Sequence, residues 1–299
     1  MTGGLLVVGD VVTDVVARHR GPLAPATDTA AEIRTVPGGA GANAACWAAR
    51  AGCADVRILG RTGRAEAAWH EERLRRAGVR PLLVPDPAAP TATVVSLVDT
   101  ATGERTFLTD SGAVWRMAPA DWNPVFLDGI GHLHLSGYLF FADSSRELAL
   151  AAARSALEAG VPVSLDPASA GFLAEWGTDR FLDAAEGVEV LLPNADEARL
   201  LTGRAEPVDA AAELSHRFPL VAMTLGAAGA LVAAAGEIVA KVPAPRATAV
   251  DSTGAGDAFT GGFLAARLTG AEPSEAAAAG CRTGAEAVTV VGGRPPVRD

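Results

Sequence analysis

The stretch Asp251-Ser252-Thr253-Gly254-Ala255-Gly256-Asp257-Ala258-Phe259 combines residue types that can act on a phosphoryl group. It follows a loop and opens a helix. Two glycines and an alanine let the backbone approach a ligand closely, and the first N–H groups of the helix, which have no intrahelical acceptor, point at it. The helix dipole favours an anion at the same place. Asp257 is the unusual member. A carboxylate in a first turn is ordinarily a cap or a charge that complements the dipole. Beside an anion cradle it can also take the proton of an attacking hydroxyl while the cradle steadies the transferring charge.

A second glycine-rich helix entry is Pro37-Gly38-Gly39-Ala40-Gly41-Ala42-Asn43-Ala44. It contains G-x-G-x-x-A, so a dinucleotide site is an alternative. That fingerprint needs a strand running directly into it and an acidic residue ending the next strand. Here the first strand ends far upstream at Gly9, and no acid ends Val56 to Gly60. Asn43 either caps locally or hydrogen-bonds substrate hydroxyls. The P-loop pattern G-x-x-x-x-G-K-[ST] does not occur, which argues against that class of nucleotide enzyme.

Other polar positions have plainer readings. Asn194 and Glu197, at i and i+3, share a helix face and read locally as a cap with a first-turn acid. Thr224 to Gly229 reads as a hairpin turn. His132 and His134 lie on one strand face, but two ligands make no metal site. Asp166-Pro167 ends a strand at the carboxyl edge, where ligands collect in open α/β sheets. Ser111 and Ser136 have no histidine–acid arrangement that supports a hydrolase.

The elements that must position these groups alternate. Leu5 to Gly9 is a buried strand. Val11 to His19 and Glu32 to Val36 are exposed strands, and Gly41 to Ala51 is a helix. Val56 to Gly60 is a strand and Glu66 to Ala77 a helix carrying Glu72 and Arg76 at i,i+4. Thr91 to Val98, a turn at 100–103 and Glu104 to Leu108 form a hairpin. Thereafter strands at His132 to Ser136, Val161 to Asp166, Val188 to Leu192 and Leu220 to Leu225 alternate with helices at Ser144 to Ala159 and Ala195 to Leu201. A hairpin at Ala230 to Ala234 and Glu237 to Val242 precedes two closing helices, about Ala255 to Leu268 and Ser274 to Val288. This order predicts an α/β fold, a three-layer sandwich with a mostly parallel central sheet flanked by helices. The β-only pieces, about 11–36 and 91–109, have no covering helix and are expected to form a small β-sheet lid inserted in one domain, 1–299.

The chain has 299 residues, 49% of them hydrophobic, enough for a large core. A net charge of -10, with Lys241 the one lysine, argues against nucleic acid and anionic membrane as partners. Cys46, Cys53 and Cys281 show no CxxC spacing, which fits free thiols in a reducing, cytoplasmic setting. No apolar stretch is long enough to span a membrane.

The two glycine motifs, in this order, resemble the ribokinase-like (PfkB) family of carbohydrate and nucleoside kinases, end to end. Further landmarks are Gly9-Asp10 through Asp14, Asn194-Ala195-Asp196-Glu197 and Thr224-Leu225-Gly226-Ala227-Ala228-Gly229. The resemblance implies transfer of the γ-phosphoryl of MgATP to a hydroxymethyl group of a sugar, or alternatively of a nucleoside of pseudouridine or adenosine type. A non-catalytic sugar-binding relative is the remote alternative. It makes Asp257 the base and Gly254, Ala255 and Gly256 the anion hole. Asp14, Gly39 and Asn43 bind substrate, while Arg105, with Phe107 on the same hairpin, either covers it or is an ordinary solvated hairpin arginine. Thr224, Gly226, Gly229 and Thr253 hold the nucleotide. Asn194 and Glu197 organise Mg2+, largely through water. Asp251 borders a site for a monovalent cation such as K+. Two departures stand out: Ala40 replaces a lysine frequent in ribose kinases, and Pro296 stands where some supply a serine to the cation. Pairing of lids into a homodimer is also implied.

Overall fold

The computed structural model describes residues 3–102 and 105–296, with Arg105 described by its backbone alone. The strands are β1 (Gly4–Val8), β2 (Val12–His19), β3 (Ala31–Gly38), β4 (Val56–Gly63), β5 (Val79–Asp86), β6 (Ala92–Asp99), β7 (Arg105–Asp110), β8 (Ile130–Ser136), β9 (Val163–Asp166), β10 (Val190–Leu191), β11 (Leu220–Thr224), β12 (Ala230–Ala234) and β13 (Glu237–Val242). The helices are α1 (Ala40–Arg50), α2 (Ala67–Arg76), α3 (Asp143–Glu158), α4 (Ala170–Trp176), α5 (Thr178–Ala184), α6 (Ala195–Thr202), α7 (Pro207–Leu214), α8 (Ala255–Leu268) and α9 (Pro273–Ala287).

Among the described residues, nine strands form one sheet in the order β13-β12-β11-β10-β9-β8-β1-β4-β5. Every pairing from β5 to β11 is parallel, and the β12–β13 hairpin adds an antiparallel edge. A central parallel strand is covered on both faces and therefore reads as a continuous apolar run. β1, Gly-Leu-Leu-Val-Val, is buried throughout. Its alternation feeds two cores. Leu6 and Val8 pack with residues of α3, α4, α5, α6 and α7, such as Leu148, Leu173, Phe181, Ala198 and Leu214. Leu5 and Val7 pack with residues of α1, α2, α8 and α9, such as Cys46, Leu74, Phe263 and Ala277. The result is the three-layer sandwich that the alternation predicts.

β3-β2-β6-β7 form a separate four-stranded sheet. β2 pairs antiparallel with β3 and parallel with β6, and β6 pairs antiparallel with β7. Its strands come from two stretches of the chain, residues 12–38 and 92–110.

Four elements are additional to those the sequence pattern predicts. β5 carries Pro81 and Pro85 and sits at the sheet edge, where a strand tolerates missing N–H donors. α4, α5 and α7 are short, at 7, 7 and 8 residues. Among the described residues no helix is long and apolar enough to cross a membrane. The three cysteines are unpaired.

Candidate active site

Two helix N-termini converge just beyond the carboxyl end of β1. Asp10 fixes the first. Its Oδ2 accepts from Ala40 N at 2.7 Å and its Oδ1 from Gly41 N at 3.0 Å, while Ser136 Oγ donates to Oδ1 at 2.7 Å. A carboxylate that satisfies two first-turn N–H groups holds α1 against the strand. Gly41 makes that approach feasible, since a Cβ there would lie 2.8 Å from Gly9 Cα.

The second terminus is that of α8. Gly254 caps it in the left-handed region (φ 74°) and lies so close to Gly293 that a Cβ would come within 2.5 Å of Gly293 Cα. α8 crosses α1 at Gly261, where a Cβ would meet Ala44 O at 2.5 Å and Ala48 N at 2.7 Å. That close crossing brings the two glycine motifs together, and Asn43 Nδ2 donates to Asp257 Oδ2 at 2.7 Å. Asp257 occupies the first turn of α8, where the N–H groups of Gly256 and Asp257 lack a helix carbonyl and face outward.

A cavity of about 580 Å3 opens between the large sheet and the small one. Asp14, Gly39, Asn43, Asn194, Glu197, Thr224, Asp251, Thr253, Gly254, Gly256 and Asp257 all line it. Residues far apart in sequence thus share one cleft. Ala255, Gly226 and Gly229 are not on its wall. Gly229 (φ 102°) meets a packing need, because a Cβ would lie 1.9 Å from Val242 O on β13. The side chain of Arg105 lies outside the described residues.

Asn194 and Glu197 form a reciprocal cap on α6. Asn194 Oδ1 accepts from Asp196 N and Glu197 N, each at 2.9 Å, and Glu197 Oε2 accepts from Asn194 N at 2.9 Å. The plain capping reading therefore holds, and it also sets Glu197, buried, on the cavity wall. Asp251 is committed in a similar way. Its Oδ1 accepts from Thr253 N at 2.9 Å and its Oδ2 from Gly292 N at 3.0 Å, tying the glycine loop to the C-terminal segment.

Electrostatics set the cleft apart. Burial pushes the carboxyl of Asp257 well above the usual carboxylate range, opposed by the Asn43 hydrogen bond and reinforced by the charges of Asp166, Asp10 and Asp14. Burial likewise raises Asp14 to about 7, against the pull of the Arg294 guanidinium. Asp166 and Glu197 are raised by burial as well, Glu197 further by the charge of Asp166. Acids whose ionisation is held back by burial and by one another thus cluster along this one cleft.

Several residues in or near the cleft carry weak sequence signals. Asp166, ending β9, lines the cavity and has Thr260 Oγ1 at 3.4 Å. Tyr138 lines it after β8. Arg294, nine-tenths buried, donates from Nη2 to Gly38 O at 2.8 Å, and no local pattern marks it. His132 and His134 are buried and held neutral, at about 4 and about 3, and His134 Nδ1 lies 2.9 Å from Ser164 Oγ. They are core residues of β8, and no metal-binding cluster of three His, Cys, Asp or Glu occurs among the described residues.

The model of the pfkB family carbohydrate kinases matches residues 3–299. Fructokinase of Klebsiella pneumoniae is 32% identical over 93% of this chain and 89% of its own. The crystal structure of ribokinase from Thermotoga maritima superposes with a TM-score of 0.82 at 26% identity, covering 97% of this chain and 94% of that one. Aminoimidazole riboside kinase from Salmonella enterica, solved with aminoimidazole riboside and an ATP analog, gives a TM-score of 0.78 at 28% identity, covering 97% and 95%. With the family model spanning the chain and the two glycine motifs meeting in one cleft, this protein belongs to the pfkB family of carbohydrate kinases.

Proposed function

We propose that the protein transfers the γ-phosphoryl group of ATP to a hydroxymethyl group of a sugar or sugar-like acceptor, with Asp257 as the base. The observation that carries this reading is the Asn43–Asp257 hydrogen bond at the N-terminus of α8, inside the cavity that Asp14 also lines. Asp14 and Asn43 offer the acceptor and donor groups that sugar hydroxyls need in directed pairs. Once they fix the sugar, its free hydroxymethyl oxygen faces Asp257. Asp257 takes the proton as the oxygen attacks, and the N–H groups of the first α8 turn receive the charge of the transferring group. Asp257 must be ionised to act, and bound cationic groups lower its raised pKa toward the working range.

Thr224, Thr253 and the turn from Gly226 to Gly229 are assigned to the nucleotide side of the cleft, with Gly229 acting through backbone shape. Magnesium fits the donor set, since the cleft presents hard carboxylate oxygens in excess of positive charge and no ready-made three-ligand cage among the described residues. Glu197 and Asn194 would hold it through water, and it would neutralise charge on the phosphate chain. With both Asp251 oxygens engaged by backbone N–H groups, a monovalent cation beside it would rely on main-chain carbonyls. The small sheet is assigned as a lid that excludes water, with Arg105 contributing from it, and its exposed Ile33 and Leu108 are the surfaces through which two copies would pair.

The test is ADP release in a coupled assay with pooled sugars and nucleosides. D257N is expected to bind ATP normally yet lose on the order of two to four powers of ten in turnover. Full activity in D257N would remove the base assignment, and absence of acceptor-dependent ADP release in the wild type would favour a non-catalytic sugar-binding role.

A further inference from the structure

The acceptor end of the cavity continues past Asp14 along the inner face of the small sheet. Side chains alternate along a strand, so the cavity receives Asp14, Val16 and Arg18 from β2, Val94, Ser96 and Val98 from β6, and Phe107 and Thr109 from β7. The registers sort these into cross-strand rows. Asp14 pairs with Val94, and Val94 with Thr109. The next row outward is Val16, Ser96 and Phe107. Two residues of strand advance about 6.6 Å, so this mainly apolar row begins about one sugar ring beyond the Asp14 carboxylate.

Three more aromatic rings line the same cavity, from the segments that follow β7, β8 and β9. They are Trp115, Tyr138 and Phe172. Phe172 meets Trp115 edge-on at 6.3 Å and Tyr138 edge-on at 6.0 Å, and stacks on Phe141 at 5.2 Å. The wall is thus a braced aromatic cluster. Yet Phe107 and Trp115 remain 54% and 40% exposed. Large apolar groups left open inside a cleft are surfaces that a ligand covers.

The chemistry of the two ends differs. A free sugar carries hydroxyls all round and needs a partner for each. Asp14, Asn43 and the backbone near Gly39 supply such partners, whereas the next row supplies one hydroxyl, that of Ser96. A flat unsaturated ring needs few polar partners and stacks on aromatic faces.

We propose that the row Val16–Ser96–Phe107 and the rings of Trp115 and Phe172, which Tyr138 braces from the side of the acids, form an aglycone subsite. It takes a planar ring joined to the sugar that Asp14 and Asn43 hold. The acceptor is then nucleoside-like, and free pentoses and hexoses are poor substitutes for it. This inference rests on the kinase reading and sharpens its acceptor.

The experiment compares acceptors that share one ribose and differ in what it carries. D-ribose, methyl β-D-ribofuranoside, uridine and adenosine are assayed for ATP-dependent turnover, with D-fructose as the hexose control. At least one nucleoside is expected to exceed ribose, methyl riboside and fructose in kcat/KM by about ten- to a hundredfold. F107A and W115A should each collapse that ratio, mainly through the KM of the nucleoside. Equal kcat/KM for ribose and nucleosides, a preference for fructose, or a parallel loss on all acceptors in F107A and W115A would overturn the subsite and leave the kinase reading standing. Should no acceptor release ADP, the kinase reading fails by itself. Calorimetric titration of the unmodified protein then decides the subsite: nucleoside binding weakened by F107A supports it, and no nucleoside binding sinks it.

Discussion

Asn43 on α1 and Asp257 on α8 stand 214 positions apart in sequence, and a 2.7 Å hydrogen bond from Nδ2 to Oδ2 joins them. The bond favours the ionised carboxylate, the form a base needs, in a cleft where burial and neighbouring acids oppose ionisation.

Removing that bond should therefore be visible in pH dependence. Asn43→Ala deletes the interaction that lowers the Asp257 pKa, so the pKa rises further. The acid limb of kcat/KM reports the free enzyme's base, and it should move to higher pH in the variant. A pH–rate profile checks this. A limb that moves to lower pH, or does not move while the rate falls, would contradict the assignment of Asn43 as the group that keeps Asp257 ionised.

The crossing of α1 and α8 is the second test. Gly261 has no room for a methyl group, which would sit 2.5 Å from Ala44 O and 2.7 Å from Ala48 N. These are backbone atoms of a packed helix and cannot swing aside. Gly261→Ala should cost about 1–3 kcal/mol in chemical denaturation. It should also lower kcat disproportionately, because any separation of the helices lengthens the Asn43–Asp257 bond. Wild-type stability in the alanine variant would mean that the two helices repack without strain.

How far the sequence alone carries the argument depends on whether a contact is local. The α8 entry is legible because its geometry lies in consecutive residues, glycine for close approach and first-turn N–H groups with no helix carbonyl to bond. The Asn194–Glu197 cap is legible for the same reason. Arg294 is not, because its role arises where the C-terminal segment folds back: Gly293 lies against Asn43 and Gly254, and Gly293 O accepts from Trp47 Nε1 at 2.9 Å. No spacing in the sequence records that return. Gly229 shows that a local pattern can hide a distant demand, since the glycine of the turn pattern is also required by the close pass of Val242 O on β13. β5 hides behind Pro81 and Pro85 because strand patterns say nothing about which strand lies at an edge.

Asp14 should make stability depend on pH. Its folded pKa, about 7, lies above the ordinary 3.8. A carboxyl raised on folding favours the folded state when protonated, below the unfolded pKa, and that contribution is lost as pH rises through the folded value. The buried histidines His70, His132 and His134 act oppositely. Held neutral at about 3 to 4, they cost stability as pH falls below about 6.5. The difference between variant and wild type isolates Asp14. D14N should melt higher than wild type at pH 8 by roughly 2 °C or more, with the gap closing toward pH 5. A gap that is constant with pH would show that the Asp14 carboxyl does not carry this cost.

Arg294 is expected to act through Asp14. It donates to Gly38 O at 2.8 Å, and the α-carbon of Gly38 lies directly beneath the Asp14 carboxylate, where a Cβ would approach Oδ2 to 2.1 Å. Its Nε and Nη1 find no hydrogen-bond partner among the described residues, so much of its positive charge acts over space on Asp14 and Asp10. Replacing it with methionine keeps the bulk and removes the charge. Asp14 then loses the main influence that lowers its pKa, which remains raised by burial and by the charges of Asp10 and Asp251. R294M should raise the acceptor KM about tenfold or more, since one pKa unit corresponds to roughly 1.4 kcal/mol, while kcat changes less. The defect should deepen below neutral pH, where more Asp14 is protonated, and R294K should recover part of the affinity. A kcat that falls as much as 1/KM, with no dependence on pH, would assign Arg294 a purely structural role in anchoring the C-terminal segment.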